Sequence, residues 1–183
     1  MKYLTLIRHA KSSWGDPSVL DHDRPLNDRG LRTAPMVGRF LAKTYFGANG
    51  TAAVLAKPDS LVSSTALRAH STAEIVSREL KGPPPTLDRR LYLAPPKSML
   101  QTVRAFDDAW KHVMVFSHNP GISEFAARLL KLGNMEEMPT CAAVIIELPW
   151  DLWSATDWEE GRLIGYITPR LIEKRFADEV KHA

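Results

Sequence analysis

The sequence predicts an α/β fold: a three-layer αβα sandwich around a mostly parallel sheet with an antiparallel edge strand. Three observations predict it. Short apolar runs bounded by polar residues alternate with longer segments of helical period. Each helical segment carries one apolar stripe, which needs a sheet face to cover. The last two runs are separated only by Pro149 to Arg162, with no helical segment between them, so they pair antiparallel at one edge.

In chain order the strand runs are Tyr3 to Ile7, Ser60 to Val62, Val113 to Phe116, Ala142 to Leu148 and Leu163 to Ile167. A first helix is expected where Val37, Phe40, Leu41 and Tyr45 share a face. A second is expected around Ala69, Ala73, Val76 and Leu80. Met99, Val103, Phe106 and Trp110 mark a third, and Ile122, Phe125, Ala126 and Leu129 a fourth. Lys81 to Pro85 reads as a proline-rich turn, and Pro169 opens a charged segment, 169–183, expected to be a terminal helix or a tail. Repeats and low-complexity tracts are absent. At 183 residues, the span 1–183 is expected to form one domain.

Composition excludes more than it names. Charged residues make up 25% and the net charge is +3, without the block of Lys or Arg that marks a nucleic-acid arm. A single cysteine, Cys141, rules out an internal disulfide and a cysteine metal cluster; no metal or cofactor is expected. It precedes an apolar run and reads as core. A cysteine-phosphatase loop needs an arginine six residues on, where Glu147 stands. The apolar start is broken by Arg8-His9, too early for a signal-peptide core, and no run reaches the roughly 20 apolar residues of a membrane span, so a cytoplasmic protein is expected.

Ligands of open α/β sheets bind beyond the carboxyl ends of the strands. Arg8-His9 follows the first run and Ser117-His118 the third, while Ser63-Ser64-Thr65 with Arg68 follows the second. Three strand ends thus offer two histidines, two arginines and several hydroxyls to one crevice. Planar guanidinium groups donate in pairs to phosphate oxygens, and a neutral imidazole can attack phosphorus. Asn119-Pro120-Gly121 then opens a helix whose free N–H groups favour an anion. The chemistry indicated is phosphoryl transfer.

The chain resembles the histidine phosphatase superfamily, also called phosphoglycerate-mutase-like. Leu6-Ile7-Arg8-His9-Ala10-Lys11-Ser12 is similar to its Arg-His-Gly signature, with Ala10 in place of the glycine. The blocks Arg24-Pro25-Leu26-Asn27-Asp28-Arg29-Gly30, Ser63-Ser64-Thr65-Ala66-Leu67-Arg68-Ala69 with Thr72-Ala73, and Ser117-His118-Asn119-Pro120 follow in family order. The short chain and the Arg-Pro-Leu block look most like the SixA-type phosphohistidine phosphatases. The resemblance implies a covalent phosphohistidine on His9, with Arg8, Arg68 and His118 holding the phosphoryl group and water completing hydrolysis. Arg24, Lys11, Ser12 and Asn119 are further candidate substrate contacts. Gly15 stands where larger members carry an asparagine. Many members carry a catalytic glutamate after the second arginine block, whereas Leu87-Asp88-Arg89-Arg90-Leu91-Tyr92 has none. Asp88, Asp21, Asp23 and Glu124 are the possible acids, or there is none.

The expected substrate is a phosphorylated protein or a small phosphorylated molecule. A phosphomonoesterase or mutase on the same scaffold, and a non-catalytic phosphohistidine-binding module, are the alternatives. His22, His70, His112 and His182 read as surface or hydrogen-bonded structural residues. Trp150, Trp153 and Trp158 read as a cover for the sheet edge or as a partner-docking rim.

Overall fold

The computed structural model describes residues 1–47, 55–133 and 136–181. His182 and the end of the 169–183 segment lie outside them. Six strands form one sheet: β1 (Lys2–Arg8), β2 (Ser60–Ser63), β3 (Thr86–Leu87), β4 (His112–Ser117), β5 (Ala143–Leu148) and β6 (Arg162–Ile167), in the order β3-β2-β4-β1-β5-β6. The helices are α1 (Asp28–Thr44), α2 (Leu67–Leu80), α3 (Pro96–Arg104), α4 (Gly121–Leu129) and α5 (Pro169–Lys181).

The four strands from β3 to β1 run parallel, while β5 is antiparallel to both β1 and β6. The expected antiparallel pairing is present, and the reversed strand lies one position in from the edge. Two-residue β3 escapes a reading by apolar runs because both its residues are exposed.

Alternation along the strands sorts the core into two layers. Leu4 and Leu6 of β1, Val113 and Val115 of β4, and Val144 and Ile146 of β5 face α3 and α4. Ile7, Met114, Phe116, Ala143 and Ile145 face the layer containing Val37 and Leu41 of α1, Val76 of α2 and Ile172 of α5. Within the helices all four predicted stripes are buried except at Phe40, which is half-buried against the core. The third helix stops at Arg104, before Phe106 and Trp110. Asp107 takes the N–H of Ala109, a local bond that competes with continuing the helix, while Asp108 takes the N–H of Trp153 from a distant segment. Both aromatics still pack on the α3–α4 layer from the turn.

Pro169 opens a helix, with Ile172 in the core. Trp153 is wholly buried against Phe106, Trp158 packs edge-on to Phe125, and the Trp150 indole donates to Glu160. Trp153 and Trp158 thus pack on the α3–α4 layer of the core. Cys141 is fully buried, and burial pushes its thiol up to about 12. No described helix is long and apolar enough to cross a membrane.

Candidate active site

Register places the site. Arg8, the last residue of β1, pairs with Ser117, the last of β4, so His9 and His118 leave adjacent strands at the same level with ring centroids 5.1 Å apart. Ser63 ends β2 beside Phe116, and the chain turns through Ser64 into α2, whose first turn carries Arg68, 2% exposed, under the same crevice. Thr72, one turn on, accepts the N–H of Ala10 at 3.0 Å and donates to the Arg68 carbonyl at 2.7 Å, tying the loop after β1 to α2.

Two glycines permit the close approaches the crevice needs. A Cβ on Gly121 would strike the Ala94 carbonyl oxygen, so only glycine lets the start of α4 lie against the Leu93–Ala94 segment. A Cβ on Gly30 would strike the Lys11 carbonyl oxygen, which accepts the N–H of Asn27 at 3.0 Å. Asn27 caps α1 by accepting from the Gly30 N–H at 2.9 Å. The Arg24-to-Gly30 block thus clamps the loop that carries Lys11 and Ser12.

Arg8, His9, Lys11, Ser12, Trp14, Asp21, Arg24, Arg68, Leu93, His118, Asn119 and Thr140 line a cavity of about 250 Å³. All eight candidate site residues are there. Its charge is four cations against one carboxylate, Asp21.

His9 Nδ1 lies 2.7 Å from the Ala10 carbonyl. A carbonyl only accepts, so Nδ1 carries the proton and Nε2 presents a lone pair. Burial, with Arg68, Arg8 and Arg24 nearby, outweighs that bond and holds the imidazole neutral, lowered to about 4. In this unliganded arrangement Arg68 Nε donates to His9 Nε2 at 3.3 Å. Burial, with His9 and the Arg68 charge nearby, lowers His118 to about 3. Its Nε2 meets Ser64 Oγ at 2.7 Å, while Nδ1 is buried without a partner. Arg8 Nε and Arg24 Nε and Nη1 are likewise buried and unpartnered, although Arg8 Nη1 donates to the Met138 carbonyl. Buried polar atoms left without a protein partner are rare and are open to a water or an anion.

The other candidates divide. Asn119 lines the wall with its amide already engaged, donating to the Met138 carbonyl at 3.0 Å and accepting from Ser123 at 2.6 Å. Of the four possible acids only Asp21 faces the cavity. Asp88 pairs with Arg90, Asp23 with His22, and Glu124 lies on α4 outside the lining. Burial would raise Asp21, but hydrogen bonds from Tyr92, Arg68 and Arg24 overcome it and hold the carboxyl at about 2. It is ionised and cannot donate a proton at neutral pH.

Trp14, Leu93 and Thr140 complete the lining, and no motif marks them in the sequence. Trp14 is 73% exposed and stacks over the Arg24 guanidinium at 3.4 Å. His22 bonds Thr65, His70 pairs with Glu74, and His112 is buried away from the cavity; all three are structural.

Residues 4–92 match the family model described as histidine phosphatase superfamily (branch 1). An uncharacterised protein of Mycobacterium leprae is 29% identical over 175 residues, covering 90% of this chain and all of its own length. An uncharacterised chloroplastic protein of Arabidopsis thaliana is 26% identical, covering 91% and 77%. Among solved structures, the protein histidine phosphatase SixA complexed with tungstate superposes with a TM-score of 0.71 at 20% identity, covering 93% of this chain and 99% of that one. Mycobacterial glucosyl-3-phosphoglycerate phosphatase complexed with VO3 gives 0.64 at 18% identity, covering 90% and 98%. Residues 4–92 of this chain are thus similar to the histidine phosphatase superfamily (branch 1), and its described fold is like that of the SixA structure.

Proposed function

We propose that this chain is a phosphatase that takes a phosphoryl group onto Nε2 of His9 and releases it to water, acting on phosphohistidine in a protein or on another activated phosphate. The observation that carries this reading is the neutral His9, with its proton on Nδ1 and its Nε2 lone pair in a cavity with three buried unpartnered guanidinium N–H positions on Arg8 and Arg24 and the unpartnered Nδ1 of His118. The Nε2 lone pair forms the nitrogen–phosphorus bond as the bond to the leaving group breaks and its electron pair departs with that group. Arg8, Arg68, Arg24 and His118 hold the phosphoryl oxygens, whose charge spreads in the transition state. Arg68 Nε turns from His9 to an oxygen as the substrate enters. Water then attacks phosphorus, and the electron pair of the nitrogen–phosphorus bond returns to Nε2.

The preference for activated phosphates follows from proton supply. Expelling an alkoxide needs a general acid, typically contributing about 10²–10⁴-fold. The one carboxyl on the cavity wall is ionised. A phosphoramidate has a weaker bond to a nitrogen base that can arrive already protonated, so it needs no donor. Likeness to a glucosyl-3-phosphoglycerate phosphatase supports a second reading, a small-molecule phosphomonoesterase.

The test is an activity panel of phosphohistidine protein, aryl phosphate, alkyl phosphate and sugar phosphate on wild type and His9→Ala. The expected result is turnover of phosphohistidine and aryl phosphate, weak turnover of the others, and loss of all turnover, by at least about 10⁴-fold, in His9→Ala. An active His9→Ala overturns the nucleophile. Equal turnover of alkyl phosphate and phosphohistidine overturns the substrate preference.

A further inference from the structure

The cavity is built to hold an anion, yet one wall carries a permanently negative group. Asp21 Oδ1 accepts from Arg24 Nη2 at 2.6 Å, and Asp21 Oδ2 accepts from Arg68 Nη2 at 3.0 Å and from the Tyr92 hydroxyl at 2.7 Å. Three donors fix the carboxylate plane. A carboxylate offers about four lone-pair sites, two on each oxygen. Oδ2 has both filled, whereas Oδ1 has one filled and one open. The side chain is 45% exposed, so the open site is accessible from solvent.

Arg68 fixes the position of Asp21 relative to the chemistry. Its Nε rests on His9 Nε2, while its two terminal nitrogens rest on the Asp21 carboxylate and carbonyl. The carboxylate therefore lies across the guanidinium from the nucleophile. In-line displacement expels the leaving atom on the side away from His9. Asp21 is the only acidic residue of the lining.

We infer that Asp21 reads the leaving group, its open Oδ1 site accepting an N–H from it, so that the pocket selects phosphoramidates whose nitrogen base carries a proton. This rests on the phosphatase reading above and narrows its substrate class. As the phosphorus–nitrogen bond breaks, its electron pair stays on the leaving nitrogen, and the protonated base leaves neutral with no proton transferred. A carboxylate beside it favours the cationic form that leaves easily. The same charge repels the negative charge that develops on a departing phenolate or alkoxide, so one residue acts with opposite sign on the two classes. A carboxylate that only braced Arg24 and Arg68 would affect both classes alike, because both present the same phosphoryl group to those arginines.

The experiment measures kcat/KM for a phosphohistidine peptide and for 4-nitrophenyl phosphate in wild type, Asp21→Asn and His9→Ala. Asn keeps the size and loses the charge. The expected result is a fall of about tenfold or more in the phosphohistidine-to-aryl ratio of Asp21→Asn, the effect of removing one charge-assisted hydrogen bond. A dead His9→Ala together with parallel changes on both substrates in Asp21→Asn, or no change on either, overturns the inference and leaves the phosphatase reading standing. A His9→Ala variant that turns over both substrates overturns the reading and the inference with it.

Discussion

Each of the two central strands begins on a basic or titratable side chain and ends on or one residue before another, and the two ends of the sheet treat these groups in opposite ways. At the amino end, Lys2 of β1 is 3% exposed and donates to the carbonyls of Asp108 and Trp110 at 2.6 and 2.8 Å. His112 of β4, 1% exposed, bonds Thr5 Oγ1 at 2.8 Å and the Ala56 carbonyl at 3.0 Å. At the carboxyl end, Arg8 keeps a buried Nε without a partner and His118 a buried Nδ1. The same residue chemistry, on the same strands, is satisfied at one end and left open at the other. An unmade buried hydrogen bond costs about 1–3 kcal/mol, a cost that a bound anion can offset. Burial of a basic residue therefore does not identify a site; burial with unfilled donors does.

Substituting one residue from each end of β1 breaks the comparison most severely. Arg8→Met should lower kcat/KM by roughly 10²–10³-fold, the usual cost of one preorganised donor to a transition-state oxygen, and weaken binding of inorganic phosphate, while costing little stability. Lys2→Met should lower the unfolding free energy with kcat/KM unchanged, because it strands the Asp108 carbonyl far from the cavity and leaves the Trp110 carbonyl with the Trp153 indole alone. Steady-state kinetics and urea unfolding on both variants check this. Equal activity losses would mean that the open donors of Arg8 carry no special role.

A smaller effect separates the ends of β4. His112→Ala should destabilise the fold by about 2 kcal/mol, since it leaves the buried Thr5 hydroxyl and the Ala56 carbonyl unpaired and opens a cavity beside Phe46. Activity per folded molecule should be unchanged. Urea midpoints, with kinetics normalised to folded protein, measure both quantities.

Much of this was legible in the sequence because strand ends announce themselves. Arg8-His9 and Ser117-His118 each follow a short apolar run that reads as a strand, and parallel register brings them level. Trp14 and Tyr92 were legible only as loop residues, and Asp21 only as one of four possible acids. Asp21 reaches the cavity because the Asp21–Asp23 turn and Tyr92 meet from segments 71 residues apart, a contact no local pattern encodes. Phe106 and Trp110 fit the helical period but lie beyond α3, since Asp107 offers the backbone a local partner and Asp108 is drawn to the distant Trp153 N–H. The central site residues were readable from periodicity, whereas the wall that confers selectivity came from tertiary contact.

The smallest expected effect is a difference in how the two ends of β4 respond to acid. His112 is lowered to about 4 and His118 to about 3, each chiefly by burial, from an ordinary value of 6.5. Between about pH 6.5 and 4 the unfolded chain binds protons at these positions that the folded chain refuses. Stability must therefore fall as pH falls through that window, by up to about 1.4 kcal/mol per pH unit for each such histidine. His112→Gln and His118→Gln should each remove one share of this slope, so slope alone does not separate them. A bound anion does, because a dianion in the cavity favours protonated His118 and leaves His112, at the far end of the strand, unaffected. Sulfate at constant ionic strength should thus flatten the slope in wild type and in His112→Gln, and flatten it less in His118→Gln. Urea midpoints at stepped pH, with and without sulfate, measure the difference; equal flattening in both variants would mean that the anion does not sit against His118.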